Sequence, residues 1–181
     1  VRLAGVGEQV LGVATRFCVP VVTGWNAHDL LPNDHLCYAG RPGSVGDRAG
    51  NFAVQNADFV LILGCRLNLR QISYNFKSFA SRAWKALVDV DPVELRKPTL
   101  SINAAVCADL RYFWPLVEEA LLREVRREEH KNYITWCQER VKRYPVVLPE
   151  YRLNDARPLN PYLFVEKLFD CLPDDAAVVA G

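Results

Sequence analysis

Apolar positions fall into two kinds of run along the chain. Short uninterrupted ones stand at "VPVVTG" (19–24), "FVLILG" (59–64), "ALVDVD" (86–91) and, more weakly, "LSINAAV" (100–106). An uninterrupted run reads as a strand covered on both faces, as in a parallel sheet between layers of helices. The second kind recurs at helical spacing. Val10, Leu11, Ala14 and Phe17 share one face of residues 8–17, and Val54 and Ala57 mark a short helix before the second strand. Asp109 is placed to cap a helix in which Leu110, Phe113, Trp114, Val117, Leu121 and Val125 repeat. Ile134, Cys137 and Val141 lie on one side of a further helix over 131–143. Helix and strand signals alternate, which predicts an α/β fold with a doubly wound, mostly parallel sheet.

Beyond that helix the pattern changes. "YPVVLPEYRLNDARPLNP" (144–161) is rich in Pro, has no period and reads as a linker. Structure restarts with Asn160 as N-cap and Pro161 in the first turn of a helix over 160–172, followed by a strand signal at 174–181. The organisation expected is one domain over 1–128, a helix and linker over 129–159, and the truncated opening of another domain over 160–181. The 181 residues are 50% hydrophobic and 24% charged, the balance of a globular protein with a real core. A net charge of +1 removes any general electrostatic case for nucleic acid or an acidic membrane as partner. The mixed charges of "LREVRREEHK" (122–131) read as a solvated helix end. No apolar run approaches the roughly 18 residues a spanning helix needs. "VRLAGVGEQV" shows neither a signal-peptide pattern nor a starting Met, as expected of a fragment. Six cysteines without a CxxC pair or a His at metal spacing read as reduced thiols of a cytoplasmic protein.

Candidate chemistry centres on "GRPGSVGDRAGNFAVQNAD" (40–58), with four glycines in eleven positions beside Arg41, Asp47 and Arg48. The spacing GxxGxxGxxxG is not the GxGxxG of a dinucleotide-binding turn, and no Lys-Ser/Thr pair completes a P-loop. Two readings stay open: glycine backbone approaching a ligand, or a tight crossover into the strand at 59–64. His28 and His35 flank "DLLPND" with Asp29 and Asp34, where capping or bridging competes with metal binding. There is no GxSxG elbow and no local Cys–His pair. Asp89 and Asp91 end a parallel strand, where one can accept a ribose hydroxyl or cap the "PVEL" turn.

In order, "VPVVTGWNAHDLLPNDH", "GRPGSVGDRAGNFAVQNADFVLILGCRLN", "ALVDVDPVEL" and "LNPYLFVEKLFDCLPDDAAVVAG" resemble the central domain of thiamine-diphosphate-dependent enzymes of the acetolactate synthase and pyruvate oxidase group. "NADFVLILGCRL" followed by "VDVDPVEL" is the most diagnostic part. The resemblance implies a six-stranded sheet, here with its first strand missing or clipped, and a non-catalytic domain set between a pyrimidine-binding and a diphosphate-binding one. It implies that the catalytic Glu lies in the former, and the Mg²⁺ and diphosphate motif beyond Gly181. The parent would use thiamine diphosphate and Mg²⁺ on 2-keto acids or related carbonyl compounds, by carboligation or decarboxylation. This chain alone would bind neither. Partners would be the other domains of the parent and further copies of it in a homo-oligomer. Some relatives hold FAD on this domain, and the matching surface comprises Gly40, Gly43, Gly64, Arg66, Arg70 and Asp89. Pro42 stands where flavin-binding synthases have His, and Asn68 and Leu69 where they have an acidic pair, which argues against flavin. The alternative is a free-standing nucleotide- or FAD-binding module on the same doubly wound core.

Overall fold

A computed structural model describes residues 1–124, 130–153, 159–173 and 175–179. The chain divides into two compact units, Val1–Arg143 and Tyr144–Gly181. The first is built on three parallel strands, β1 (Phe59–Leu63), β2 (Trp84–Asp89) and β3 (Ala104–Cys107), adjacent in that order. Phe59 pairs with Trp84 through to Leu63 with Val88, and Ala86 with Ala104 through to Asp89 with Cys107.

Successive side chains of a strand point to opposite faces, and here both faces are covered. Ile62 and Leu87 enter one core with Val54 of α2 (Arg48–Asn56) and Ile72 of α3 (Leu69–Ile72). Their neighbours Leu63 and Val88 enter a second core. It holds Val10, Val13 and Phe17 of α1 (Gly7–Phe17) with Leu110 and Trp114 of α5 (Leu110–Glu124). Two cores on opposite faces of a parallel sheet are what doubly wound means physically, and they explain the uninterrupted apolar runs. At the start of α5 the Asp109 carboxylate accepts the Arg111 N–H at 2.9 Å, as its capping position predicts. Val125, the last position of that repeat, lies outside the described residues.

Other elements differ from the sequence pattern. "VPVVTG" forms only an isolated parallel bridge, Val21 to Tyr38, made by Val21 N–H to Cys37 O (2.7 Å) and Ala39 N–H to Val21 O (3.0 Å). Pro20 has no N–H to extend a ladder. The described residues thus contain three strands and this bridge; β1, whose composition suits an interior strand, is paired with β2 alone. The fourth predicted run joins the sheet only from Ala104, because Leu100 and Ile102 pack against the first core instead of continuing the ladder.

α6 (Lys131–Arg143) packs on α2 and belongs to the first unit. Ile134 and Cys137 are buried, and Cys137 touches Ala39 and Ala53. In the second unit, α7 (Pro149–Leu153) rises from the stretch expected to be linker, with Pro149 in the first position where its missing N–H costs nothing. α8 (Pro161–Cys171) starts as predicted, Asn160 accepting the N–H groups of Tyr162 (3.0 Å) and Leu163 (3.3 Å). An Arg152–Glu166 ion pair and a Tyr151–Tyr162 stack join the two helices. Of the strand signal at 174–181, residues 176–179 are not a strand, and 174, 180 and 181 lie outside the described residues.

Burial pushes the Cys137 thiol up from an ordinary 9.0 to about 11. The unfolded chain therefore loses this proton first as pH rises, so the thiol favours the fold below pH 9 and that contribution disappears as pH climbs towards 11. Urea titrations between these limits should show a loss of about 2–3 kcal/mol in the wild type beyond that in Cys137→Ala. Equal losses in both proteins would contradict it.

Candidate functional site

The glycine stretch sits at the N-terminus of α2, and the Asp47 carboxylate organises it. One oxygen accepts the Gly50 N–H at 2.5 Å, capping the helix, and the other accepts the Arg41 N–H at 2.8 Å. Asp47 N–H returns to the Arg41 carbonyl at 2.9 Å. Gly43 exchanges two bonds with the Asn51 amide, at 2.9 and 3.0 Å, and Gly46 N–H reaches the Gly43 carbonyl at 3.1 Å. A phosphate loop works by aiming unsatisfied N–H groups at an anion. Here the N–H groups of Arg41, Gly43, Gly46, Asp47 and Gly50 are engaged inside the loop.

The glycines themselves answer to close backbone approach. Gly40 has φ +103°, and a Cβ there would run into the Asp47 carboxylate and the Gly50 amide. A Cβ on Gly50 would lie 2.6 Å from the backbone nitrogens of Arg41 and Pro42. The Arg41 side chain is anchored too, donating to Asn33 Oδ1 (2.7 Å), Tyr38 Oη (2.8 Å) and the His28 carbonyl (3.0 Å). Burial and the Arg41 charge hold the His28 pKa below its usual value. Asp29 pairs with Arg2, and His35 Nδ1 accepts the Cys37 N–H.

The loop leans on the segment that leaves β1. Ser44 gives both its N–H (2.7 Å) and its hydroxyl (3.0 Å) to the Arg70 carbonyl, while the Arg70 guanidinium lies 5.1 Å over the Trp25 ring. Gly64, with φ +54°, turns the chain out of β1 and donates to the Val88 carbonyl at 2.8 Å. Next to it Asp89, 8% exposed, accepts the Asp91 N–H at 2.9 Å. Asp91 caps α4 (Pro92–Leu95) through the Val93 N–H. Arg66 is 73% exposed with Nε 3.6 Å from Glu94, and its carbonyl accepts from Lys97 at 2.5 Å. The structure places Gly40 against Asp47 and Gly50, and Arg66 beside Glu94. It joins Gly43 to Arg70 through Ser44, and Gly64 to Asp89 through the β1–β2 pair.

An open groove of about 480 Å³ lies beside them, lined by Leu67, Asn68, Arg70, Phe76, Lys97 and Thr99 among others. The exposed Arg70 guanidinium in its lining can hold an anion. The nearest thiol, Cys65, is no ready nucleophile: burial raises its pKa and it bonds to Gln71 Oε1 at 3.2 Å. Sequence reasoning missed Trp25, Asn51 and Lys97, because each acquires its role from a partner on another segment.

The family model for the central domain of thiamine pyrophosphate enzymes matches residues 1–121. The chain belongs to this family. A probable acetolactate synthase large subunit of Methanocaldococcus jannaschii is 29% identical over 178 residues, covering 95% of this chain and 28% of that protein. The acetolactate synthase isozyme 1 large subunit of Escherichia coli K12 is 28% identical over 173 residues, 94% of this chain and 28% of its own. A probable chloroplastic acetolactate synthase 2 of Oryza sativa subsp. japonica is 30% identical over 166 residues, with 90% and 24% covered. The chain thus spans 28% or less of these relatives' length.

Among the described residues of this thiamine-diphosphate-family domain, no three His, Cys, Asp or Glu side chains are grouped to hold a metal ion. Of the loop amides, those of Arg41, Gly43, Gly46, Asp47 and Gly50 bond within the loop and that of Ser44 to the Arg70 carbonyl. Nor is any described helix long and apolar enough to cross a membrane.

Two glycine substitutions separate loop packing from helix propensity. Gly12→Ala, in open space within α1, should stabilise the protein by about 0.5–1 kcal/mol. Gly50→Ala, also helical, should destabilise it by about 2 kcal/mol or more, because its Cβ meets fixed backbone. Denaturant midpoints moving the same way for both would refute the packing account.

Proposed function

We propose that the chain is the bracing central domain of a longer thiamine-diphosphate enzyme that acts on 2-keto acids, with acetolactate-synthase-like carboligation or decarboxylation as its reaction. The observation that carries this reading is the family match over residues 1–121 together with alignments to acetolactate synthases over about nine-tenths or more of the chain. Thiamine diphosphate would supply the carbon–carbon chemistry. The groups holding it and Mg²⁺ would come from neighbouring domains of a cytoplasmic, homo-oligomeric parent.

Residues 1–128 form the central domain in this reading, 129–159 lead away from it, and 160–181 open the diphosphate-binding domain. The Asn160-capped start of α8 supports the last boundary. The surface at Gly40, Gly43, Gly64, Arg66, Arg70 and Asp89 is where a nucleotide would sit, with Arg66 the exposed cation nearest to hand. Pro42, Asn68 and Leu69 count against flavin at that place.

Calorimetry of this chain with thiamine diphosphate and Mg²⁺ should show no binding, and the purified chain should be colourless in the flavin bands. The protein encoded by the whole reading frame should convert pyruvate to acetolactate when both are added. Micromolar affinity of this chain alone for thiamine diphosphate would overturn its non-catalytic role. Absence of pyruvate turnover by the whole protein would overturn the assigned reaction.

A further inference from the structure

α6 lies outside the stretch that the family model matches, yet it packs under both ends of the glycine loop. Cys137, 1% exposed, touches Ala39, the residue before Gly40, and Ala53, three residues after Gly50. Ile134 fills the neighbouring space against Cys37 and Ala14. The Tyr133 hydroxyl donates to the Ala53 carbonyl. Ala53 is in the last turn of α2, so Tyr133 ties down the C-terminal end of that helix. Gln138 donates to the Leu36 carbonyl at 2.8 Å, just ahead of Cys37.

We propose that α6 is a positioning element for the glycine loop: by clamping Ala39 and Ala53 it sets the separation of the loop's two feet. The loop's contact with the 64–71 segment depends on that separation. It is made through one carbonyl, that of Arg70, which receives two bonds from Ser44. A small movement of either foot would break both bonds while leaving the sheet intact, since α6 touches α2, the 36–39 segment and Ala14 of α1, and none of its bonds given above goes to a strand. The geometry of the 40–44 surface is therefore governed from residues 131–143. This holds whatever reaction the longer protein carries out.

Amide hydrogen exchange of the 181-residue chain, by NMR, tests the clamp. In Tyr133→Phe and in Cys137→Ala, exchange at Ser44, Asp47 and Gly50 should accelerate by about tenfold or more, while Leu87 and Val88 in β2 keep their rates. Thr135→Ala, exposed on α6 and bonded only to the Lys131 carbonyl of its own helix, should change none of these. Unchanged loop amides in both variants would overturn the proposal. So would equal acceleration in loop and sheet, because that would make α6 a source of general stability only.

Discussion

The Asp47 carboxylate is the contact on which the arrangement of the first unit turns. It caps α2 through Gly50 and pins the chain at Arg41 through a second oxygen, so that two backbone segments lie in direct contact. Only glycine permits that approach at positions 40 and 50. Once the loop is closed, the start and direction of α2 are fixed, and α2 delivers the chain to β1 at Phe59, three positions past its last residue Asn56. The edge where Gly64 and Asp89 leave the sheet then meets the loop through Ser44 and Arg70. A carboxylate accepting backbone N–H groups of a helix start is favoured both by hydrogen bonding and by the helix dipole. The loop is thus stabilised by the same interaction that starts the helix.

The sheet contributes a different kind of order. Each of β1 and β2 sends adjacent residues into separate cores, Ile62 and Leu87 to one and Leu63 and Val88 to the other. A shift of register by one residue would exchange the two sets and bring the wrong volumes against α1, α5 and α2. Lys85 shows how tightly the start of β2 is held: its ammonium is buried, 7% exposed, and donates to the carbonyls of Ala80 and Ala83 at 3.0 Å each. A buried cation is tolerable only where such acceptors surround it. The turn before β2 supplies them.

What could be read from the sequence divides along the same line. β1, β2 and the helices at Asp109 and Lys131 were legible because burial writes its period directly into neighbouring residues. The Asn160 cap was legible because its partners lie two and three residues away. The bridge at Val21 was overread as a strand, since an apolar run records burial and not the number of ladder partners. α7 went unseen because a single helical turn is too short to show periodicity. At the candidate site, Gly40, Gly43, Gly64, Arg66, Arg70 and Asp89 could be gathered by resemblance. The bonds that relate them could not: Ser44 and Arg70 stand 26 positions apart, and Tyr133 and Ala53 stand 80 apart. Nothing local in either segment encodes such a meeting.

A domain of this construction has little chemistry to offer and much rigidity. Most of its loop amides donate to acceptors within the loop, its carboxylates at the strand ends cap turns, and its nearest thiol is half-buried with a raised pKa. Catalysis needs groups left deliberately unsatisfied until a substrate arrives, and satisfied groups cannot also serve as donors to a developing charge. Among the described residues after β1, the guanidinium of Arg66 is exposed and that of Arg70 is stacked on Trp25. These can dock a carboxylate or phosphate while the backbone that carries them is held to the glycine loop through Ser44 and to β2 through Gly64. The glycines at positions 40 and 50 therefore serve to bring two backbone segments into contact, and that contact holds the 40–44 loop against Asp47 and the start of α2.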